Sequence, residues 1–256
     1  MPLLAGKRLL VTGVLTEQSL ASAVVRTALQ EGAEVLLGSP LCRAWPLTSK
    51  MATRLGVETP VLELDVTLPS DLAGLEAAVR DAGWDRVDGV LHAIAYLPDA
   101  ERAPEFAARA WESTAEVFQT TTWSLAAVVH ALRPLLPRGG SVVALDVDAS
   151  RAWAPLGWLG VAQAGLEATA RYLARELGPN GVRVNVVATG PHCTLLARAL
   201  DGHEELAERW TREAPLGWDS RDPTAAAKAV VTLLSDWLPA TTGEVLHVDG
   251  GLHVVG

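Results

Sequence analysis

Seven short apolar runs rich in Val and Leu recur along the chain, and they constrain the fold more than any other feature. The runs are continuous rather than alternating, which is typical of strands buried on both faces of a parallel sheet. The predicted strands are Arg8–Thr12, Glu34–Leu37, Val61–Leu64, Gly89–His92, Ser141–Leu145, Val182–Val187 and Val245–Val248.

Longer amphipathic segments separate these runs, and their pattern predicts helices. The expected helices are Ser19–Glu31, Leu41–Leu55, Ser70–Ala82, Ala115–Leu132, Leu156–Leu177, a segment near Leu195–Arg212, and Pro223–Leu234. Strands that alternate with helices predict a Rossmann-like α/β fold, a doubly wound parallel seven-stranded sheet. No Ser-, Gly- or Pro-rich linker and no repeat divides residues 1–256, so we expect a single domain.

Composition excludes several classes of partner. The net charge of −9 argues against binding to nucleic acid or to an anionic membrane, because both need clustered Lys and Arg. The longest uncharged stretch, Val117–Leu132, is too polar and too short to span a bilayer. Cys42 and Cys193 form neither a disulfide framework nor a metal-ligand motif, so we expect no metal and a reducing, cytoplasmic compartment.

Two strand ends carry residues suited to a nucleotide. Ligands of doubly wound sheets bind at the carboxyl ends of the strands, near the point where strand order reverses. Gly13 ends the first strand shortly before a helix that begins near Ser19, where backbone N–H groups and the helix dipole can meet a pyrophosphate. Asp65 follows the third strand and can accept a hydrogen bond from an adenine amino group. A tight turn at Gly13 and a helix cap at Asp65 explain the same residues without a ligand.

Several further motifs occur in a fixed order along essentially the whole chain. They are Gly13-x5-Ser19-x-Ala21, Leu64-Asp65-Val66, His92-Ala93-Ile94-Ala95, Gly139-Gly140-Ser141, Asp148-Ala149-Ser150-Arg151-Ala152, Gly190-Pro191-His192-Cys193-Thr194-Leu195 and Asp236-Trp237-Leu238-Pro239-Ala240-Thr241-Thr242-Gly243. Together they resemble the enoyl-acyl-carrier-protein reductases of the short-chain dehydrogenase/reductase superfamily, and most closely the mycobacterial type.

The resemblance implies a homotetramer that reduces a 2-enoyl thioester with NADH. It also implies a Tyr that stabilises the enolate oxygen and a Lys seven residues later that holds the nicotinamide ribose. Alignment puts this pair at positions where the chain has Leu156 and Gln163. The chain's two tyrosines, Tyr96 and Tyr172, have no Lys four or seven residues after them. We therefore do not expect the family's standard mechanism.

The resemblance also implies a set of cofactor contacts. These cofactor-binding positions are Gly13, Ser19, Leu20, Asp65, Val66, Ala95, Gln163, Gly190 and Thr194. Ala95 and Ala93 stand where the family usually has Gly and Ser, and each change costs about 1 kcal/mol of binding. Gln163 can bond a ribose, but without charge. We expect NAD(H) binding that is weakened or lost. The resemblance makes NADP(H) the less favoured cofactor, but Ser39-Pro40 itself shows neither a ribose-binding acid nor a phosphate-binding Arg, although Arg43 is close.

A segment covering about residues 194–218 is expected to close over the substrate, because the resemblance puts the covering helix and loop there. Its amphipathic sequence suits a hydrophobic small molecule or an acyl thioester, free or on a carrier protein. The expected pocket residues are Trp153, Leu156, Leu195, Leu200 and Trp210.

His192, Asp148 and Tyr96 are the candidate catalytic residues. His192 stands beside the predicted nicotinamide site, and a His there can act as acid or base near neutral pH. A lone His more often has a structural role, and Asp148 can instead be part of the scaffold together with Arg151. Further candidates for proton transfer are Asp146, Cys193 and His92.

Three functions remain open. The first in rank is a repurposed scaffold that performs non-redox chemistry, such as cyclisation, isomerisation or elimination, on a hydrophobic acyl or polyketide-like substrate. The alternatives are an NADH-dependent enoyl thioester reductase with an atypical active site, and a catalytically inactive binding or regulatory protein. An apolar pocket that works by shape leaves no motif, so the sequence does not separate the non-redox enzyme from the inactive binding protein.

Overall fold

The computed structural model describes residues 2–40, 44–98 and 106–255. Its strands are β1 (Arg8–Thr12), β2 (Glu34–Ser39), β3 (Val61–Glu63), β4 (Gly89–His92), β5 (Ser141–Val147), β6 (Arg183–Thr189) and β7 (Val245–Val248). They form one sheet in the order β3-β2-β1-β4-β5-β6-β7, and every neighbouring pair is parallel. The predicted Rossmann-like, doubly wound α/β fold is confirmed.

Eight helices connect and cover the strands within the described ranges. They are α1 (Leu20–Gln30), α2 (Trp45–Leu55), α3 (Pro69–Asp81), α4 (Trp111–Phe118), α5 (Ser124–Leu132), α6 (Trp158–Leu177), α7 (His203–Glu213) and α8 (Thr224–Leu234). A π-helical turn over Gln119–Trp123 joins α4 to α5, so the predicted helix Ala115–Leu132 is continuous but not uniformly α-helical. The start predicted for the second helix, from Leu41, falls on residues outside the described ranges.

Each strand packs against hydrophobic layers on both of its faces, which explains its continuous apolar sequence. Leu10 of β1 and Val90 of β4 belong to the layer that includes α5 and α6. Leu9 and Leu91, their neighbours in sequence, belong to the opposite layer, with α1 and α8. Alternate side chains of one strand thus enter different layers, and neither face of the sheet is left polar.

The helix predicted over about Leu195–Arg212 is wrong in its first half. Ala197–Ala199 forms a single 3-10 turn, Leu200 is extended, and α7 begins only at His203. Gly202 precedes α7 with φ of +82°, a left-handed conformation that only glycine adopts without strain. The apolar spacing continues across this break, so periodicity alone does not detect it.

Candidate functional site

A cleft of about 460 Å³ opens at the carboxyl ends of the strands, where strand order reverses between β1 and β4. Thr12 ties these two strands together at its base. Its hydroxyl donates to the carbonyl oxygen of Leu91 at 3.1 Å and accepts from the backbone N–H of Ala93 at 3.1 Å. The cleft therefore lies where the ligands of doubly wound sheets bind.

One wall of the cleft is the turn between β1 and α1. Gly13 has φ of +80°, and a Cβ there would overlap the carbonyl group of Ala93. The Ser19 hydroxyl accepts from the backbone N–H groups of Thr16 at 3.0 Å and Leu15 at 3.3 Å, which fixes the turn. Leu20 opens α1 and lines the cleft, so its N–H belongs to a first turn that has no intrahelical acceptor. Such a helix start binds anionic groups, including phosphate.

Asp65 and Val66 line the cleft beyond β3. The Asp65 Oδ1 accepts from both the backbone N–H and the hydroxyl of Thr67, at 2.9 and 2.6 Å, so this carboxylate is fixed in place. Ser39, at the end of β2, is buried and bonded to the Thr48 hydroxyl at 2.9 Å. Arg43, which the sequence puts close to this end, lies outside the described residues, as does Cys42.

All nine predicted cofactor-binding residues line this one cleft. They are Gly13, Ser19, Leu20, Asp65, Val66, Ala95, Gln163, Gly190 and Thr194. They come from the ends of four strands, from the first turn of α1 and from α6. The fold thus places residues that are far apart in the sequence, from Gly13 to Thr194, around one cavity.

Leu156 and Gln163, the two residues that the sequence resemblance aligns with a Tyr and a Lys, both line the cleft. Leu156 precedes α6 and packs with Trp153 and Leu159 in a hydrophobic cluster. Gln163 is 5% exposed, and its Oε1 has no hydrogen-bond partner in the part of the chain that the structure describes. A buried amide oxygen without a donor favours a ligand that supplies one.

His192 lines the cleft from the loop after β6 and is 6% exposed. Burial lowers the pKa of His192 to about 4, although the hydrogen bond to the Ser220 backbone and the charges of Asp222 and Asp219 act to raise it. Its ring packs edge-on against Trp218, with centroids 5.1 Å apart. The imidazole is therefore neutral near pH 7, and its Nε2, which has no partner among the described residues, is suited to accepting a hydrogen bond.

The other two catalytic candidates lie in different surroundings. Tyr96 is exposed and lines the cleft. Asp148 is 2% exposed and is not among the lining residues. Its Oδ1 accepts from the Ser150 N–H at 3.0 Å and lies 3.7 Å from His247 Nε2. Arg151 does not pair with Asp148, because its guanidinium donates to backbone carbonyls of the C-terminal turn, including that of His253 at 2.6 Å.

Two of the predicted pocket residues stand behind the cleft wall instead of lining it. Trp153 and Trp210 are buried, with ring centroids 4.7 Å apart, and the Trp153 indole N–H donates to the Asp148 carbonyl at 2.7 Å. Leu195 and Leu200 line the cleft together with Leu156. The expectation of an aromatic pocket surface is therefore not met at positions 153 and 210, where the indoles support the wall from the core.

Two site residues lack a signal in the sequence. His203, the first residue of α7, is buried, lines the cleft and has its pKa lowered, chiefly by burial. Trp218 packs against Gly190, where an added Cβ would come within 2.7 Å of its ring, and its indole N–H donates to the Pro191 carbonyl at 2.8 Å. Both positions follow from how the covering segment folds back, which motif spacing does not encode.

Neither a bilayer span nor a metal cluster is found in the residues described. No helix among them is long and apolar enough to cross a membrane. No three His, Cys, Asp or Glu side chains in these ranges are grouped so that they could hold a metal ion.

The fold and the position of the cleft define the class, a doubly wound α/β protein with a ligand site at its topological switch point. Within that class the chain belongs to the family described as enoyl-(acyl carrier protein) reductase, whose model matches residues 13–253. It is 39% identical to the enoyl-[acyl-carrier-protein] reductase [NADH] of Mycolicibacterium smegmatis and 38% to that of Mycobacterium avium, covering 97% of both chains in each pair. The NADH enzyme of Aquifex aeolicus is 33% identical over 100% of this chain and 94% of its own.

Proposed function

We propose that this protein binds NAD(H) and reduces an enoyl thioester with an atypical active site. The observation that carries the proposal is the convergence of all nine expected cofactor-binding residues on one cleft at the switch point. Its relatives at 38 and 39% identity are NADH-dependent enoyl-acyl-carrier-protein reductases, which favours this function over the non-redox function that the sequence ranks first.

The residues of the cleft fit a dinucleotide. Gly13 leaves room where a Cβ would fill the turn, and the free N–H groups at the start of α1 would meet the pyrophosphate. Asp65 would accept from the adenine amino group, and Gln163 Oε1 would accept from a ribose hydroxyl. The bound NADH would supply a hydride to the β-carbon of the enoyl group.

The acyl chain would lie along the apolar part of the cleft. Leu156, Leu195, Leu196, Leu200 and Leu206 line this part, and the covering segment of about residues 194–218 contributes four of them. Leucine side chains exclude water from the bound chain and provide no hydrogen bonds to it. We therefore expect a hydrophobic acyl thioester, presented by a carrier protein or free, and no preference for a polar chain.

A second candidate function is supported by Leu156 itself. The resemblance aligns Leu156 with the family's Tyr, and its side chain, which lines the cleft, can neither donate a hydrogen bond nor transfer a proton. Non-redox chemistry on an apolar acyl or polyketide-like substrate, or binding without catalysis, would tolerate this residue. Losing one oxyanion donor costs a reductase about 10² to 10³ in kcat.

The deciding experiment combines cofactor binding with turnover. NADH binding is measured by calorimetry. Oxidation of NADH is then followed by its absorbance after short- and medium-chain 2-enoyl thioesters are added, and the same mixture without a thioester is the control. We expect binding and slow, thioester-dependent oxidation of NADH. Binding without oxidation, or a rearranged product at constant NADH, supports the second candidate, and no NADH binding rejects the proposed function.

The homotetramer expected from the family is also part of this proposal. The resemblance implies assembly through the helices predicted over Ala115–Leu132 and Leu156–Leu177 and through the C-terminal strand, and Trp123 and Tyr172 are exposed on those two helices. Large exposed aromatic residues on one pair of helices favour a contact with another protein surface. Light scattering coupled to size exclusion would test this, and a monomer would contradict it.

A further inference from the structure

Asp146 is a buried carboxyl group at the end of β5 that the proposed function leaves without a role. It is 4% exposed and is one of the residues that line the cleft. Its Oδ1 accepts the backbone N–H of Val147 at 2.7 Å, whereas Oδ2 has no hydrogen-bond partner in the ranges described. A buried carboxylate with an oxygen left unbonded is costly, so this group is strongly biased toward its neutral form.

Its charged neighbours reinforce that bias. Asp148 and Glu167 are the carboxyl groups whose charges act on Asp146. The basic side chains of this region contact those two carboxyl groups: Arg171 Nη1 lies 3.8 Å from Glu167 Oε2, and His247 Nε2 lies 3.7 Å from Asp148 Oδ1. No ion pair to Asp146 is present in the described structure. Burial first, and then the charge of Glu167, raise the pKa of Asp146 well above its ordinary value.

The buried histidines at the end of β4 and after β6 bring no positive charge to the cleft. His92 on β4 is neutral near pH 7, because burial lowers its pKa to about 4, and it is bonded to Ser124 at 2.8 Å. His192, on the loop after β6, is neutral for the same reason. On α6 the residue one turn before Glu167 is Gln163, where the family pattern has Lys. The side chain at this position is therefore uncharged, on the same helix as Glu167.

We propose that Asp146 holds a proton on Oδ2 and donates it in a hydrogen bond to an uncharged oxygen of the ligand that binds beside Gln163. Asp146 and Gln163 then form a donor and acceptor pair of two uncharged side chains, in place of the Lys cation. A hydroxyl group satisfies both members of the pair, and a carbonyl oxygen satisfies the donor alone. Such an oxygen belongs either to a ribose hydroxyl of NADH or to the carbonyl of an acyl thioester. The choice between these two ligands rests on the proposed function, whereas the protonation of Asp146 does not.

The first test needs no ligand. Infrared difference spectra of the whole protein, wild type minus Asp146→Asn, should show at neutral pH a carbonyl stretching band of a carboxylic acid. Asp249→Asn is the matched control, because Asp249 is also a buried Asp, at 2% exposure, but against that burial its hydrogen bonds from His253 and Gly251 lower its pKa, so its difference spectrum should lack that band. A carboxylate band for Asp146 at neutral pH would overturn the proposal.

The second test measures affinity against pH, separately for NADH and for a saturated acyl thioester. Above its raised pKa Asp146 loses the O–H, so wild-type affinity for the contacted ligand should fall about ten-fold at alkaline pH. Asp146→Asn keeps a donor at every pH, so its affinity should stay level. Gln163→Lys introduces a cation that should keep Asp146 ionised. The ligand affinity of this variant should therefore also be independent of pH.

The two ligands separate the two sources of the oxygen. If only the NADH affinity depends on pH, Asp146 contacts the ribose. If only the thioester affinity depends on pH, Asp146 contacts the acyl carbonyl. If both ligands bind with no difference between wild type and Asp146→Asn, the donor role of Asp146 is wrong while the proposed function stands. If the infrared band is present and NADH does not bind, the proposed function fails and the protonated Asp146 stands.

Discussion

Gly13 packs against the backbone carbonyl of Ala93, so the turn after β1 and the end of β4 are in direct contact at the base of the cleft. A Cβ on Gly13 would lie 2.9 Å from the Ala93 carbonyl carbon and closer still to its oxygen. Both residues line the cleft, and φ at Gly13 is +80°. The shape of the site therefore depends on a glycine at position 13, because any side chain there would push the end of β4 away.

Gly13→Ala should lower the free energy of unfolding by about 3 kcal/mol, from the left-handed backbone together with the clash. NADH affinity should fall with it, because the turn must move. Gly56→Ala is the matched control, since Gly56 has φ of +72° but nothing within 4 Å of the added Cβ, and it should cost only about 1 kcal/mol. Urea denaturation of both variants measures the difference, and equal losses would show that the Ala93 contact carries no energy.

Leu156→Tyr combined with Gln163→Lys should raise NADH-dependent reduction of a 2-enoyl thioester about 10² to 10³-fold, the range for an added oxyanion donor. Both positions line the cleft, so the new groups would reach the bound ligands. Leu156→Phe with Gln163→Lys is the control, because it adds the ring and the cation without the hydroxyl. A double variant that binds NADH but gains no rate over this control would mean that other pocket residues limit the reaction.

Acid should destabilise the protein through its buried histidines. The pKa of His192 is about 4 in the folded protein and 6.5 in the unfolded chain, so below about pH 6.5 the unfolded chain binds more protons. Neutral His192 contributes up to roughly 3 kcal/mol to the free energy of unfolding. This contribution is fully present above pH 6.5 and is lost as the pH falls to about 4. His92 acts in the same direction.

Melting temperatures recorded against pH would test this acid dependence. His192→Gln should flatten the decline between pH 6.5 and 4 relative to wild type. His130→Gln, at an exposed position on α5, should leave the curve unchanged. Parallel curves for His192→Gln and wild type would mean that folding does not lower the pKa of His192.

Trp153→Phe should destabilise the fold by about 1 to 2 kcal/mol, because it removes a buried 2.7 Å hydrogen bond to the Asp148 carbonyl. The aromatic contact with Trp210 would remain in part. Trp237→Phe, at an exposed Trp, is the control and should change stability by less than about 0.5 kcal/mol. Circular dichroism is the suitable signal, since fluorescence changes with any Trp.

The strands were predictable because each is a short Val- and Leu-rich run, and burial on both faces demands that pattern. Strand ends were less predictable. β5 and β6 pair as far as Val147 and Thr189, two residues beyond the predicted strand ends, because backbone hydrogen bonding continues through polar positions such as Asp146 that interrupt the apolar run. The break at Gly202 escaped prediction since an apolar spacing of helical period runs across it.

The sequence by itself determined the layered α/β fold, the family and the absence of a Tyr and Lys at the required spacing, since these follow from local patterns and residue identity. Only the tertiary structure decided which polar atoms are buried without partners. Gln163 Oε1, His192 Nε2 and Asp146 Oδ2 are all in this condition, and all three residues line the same cleft. Burial and the distance between charges depend on how distant segments pack, and they determine whether each of these groups is neutral and which bond it can offer.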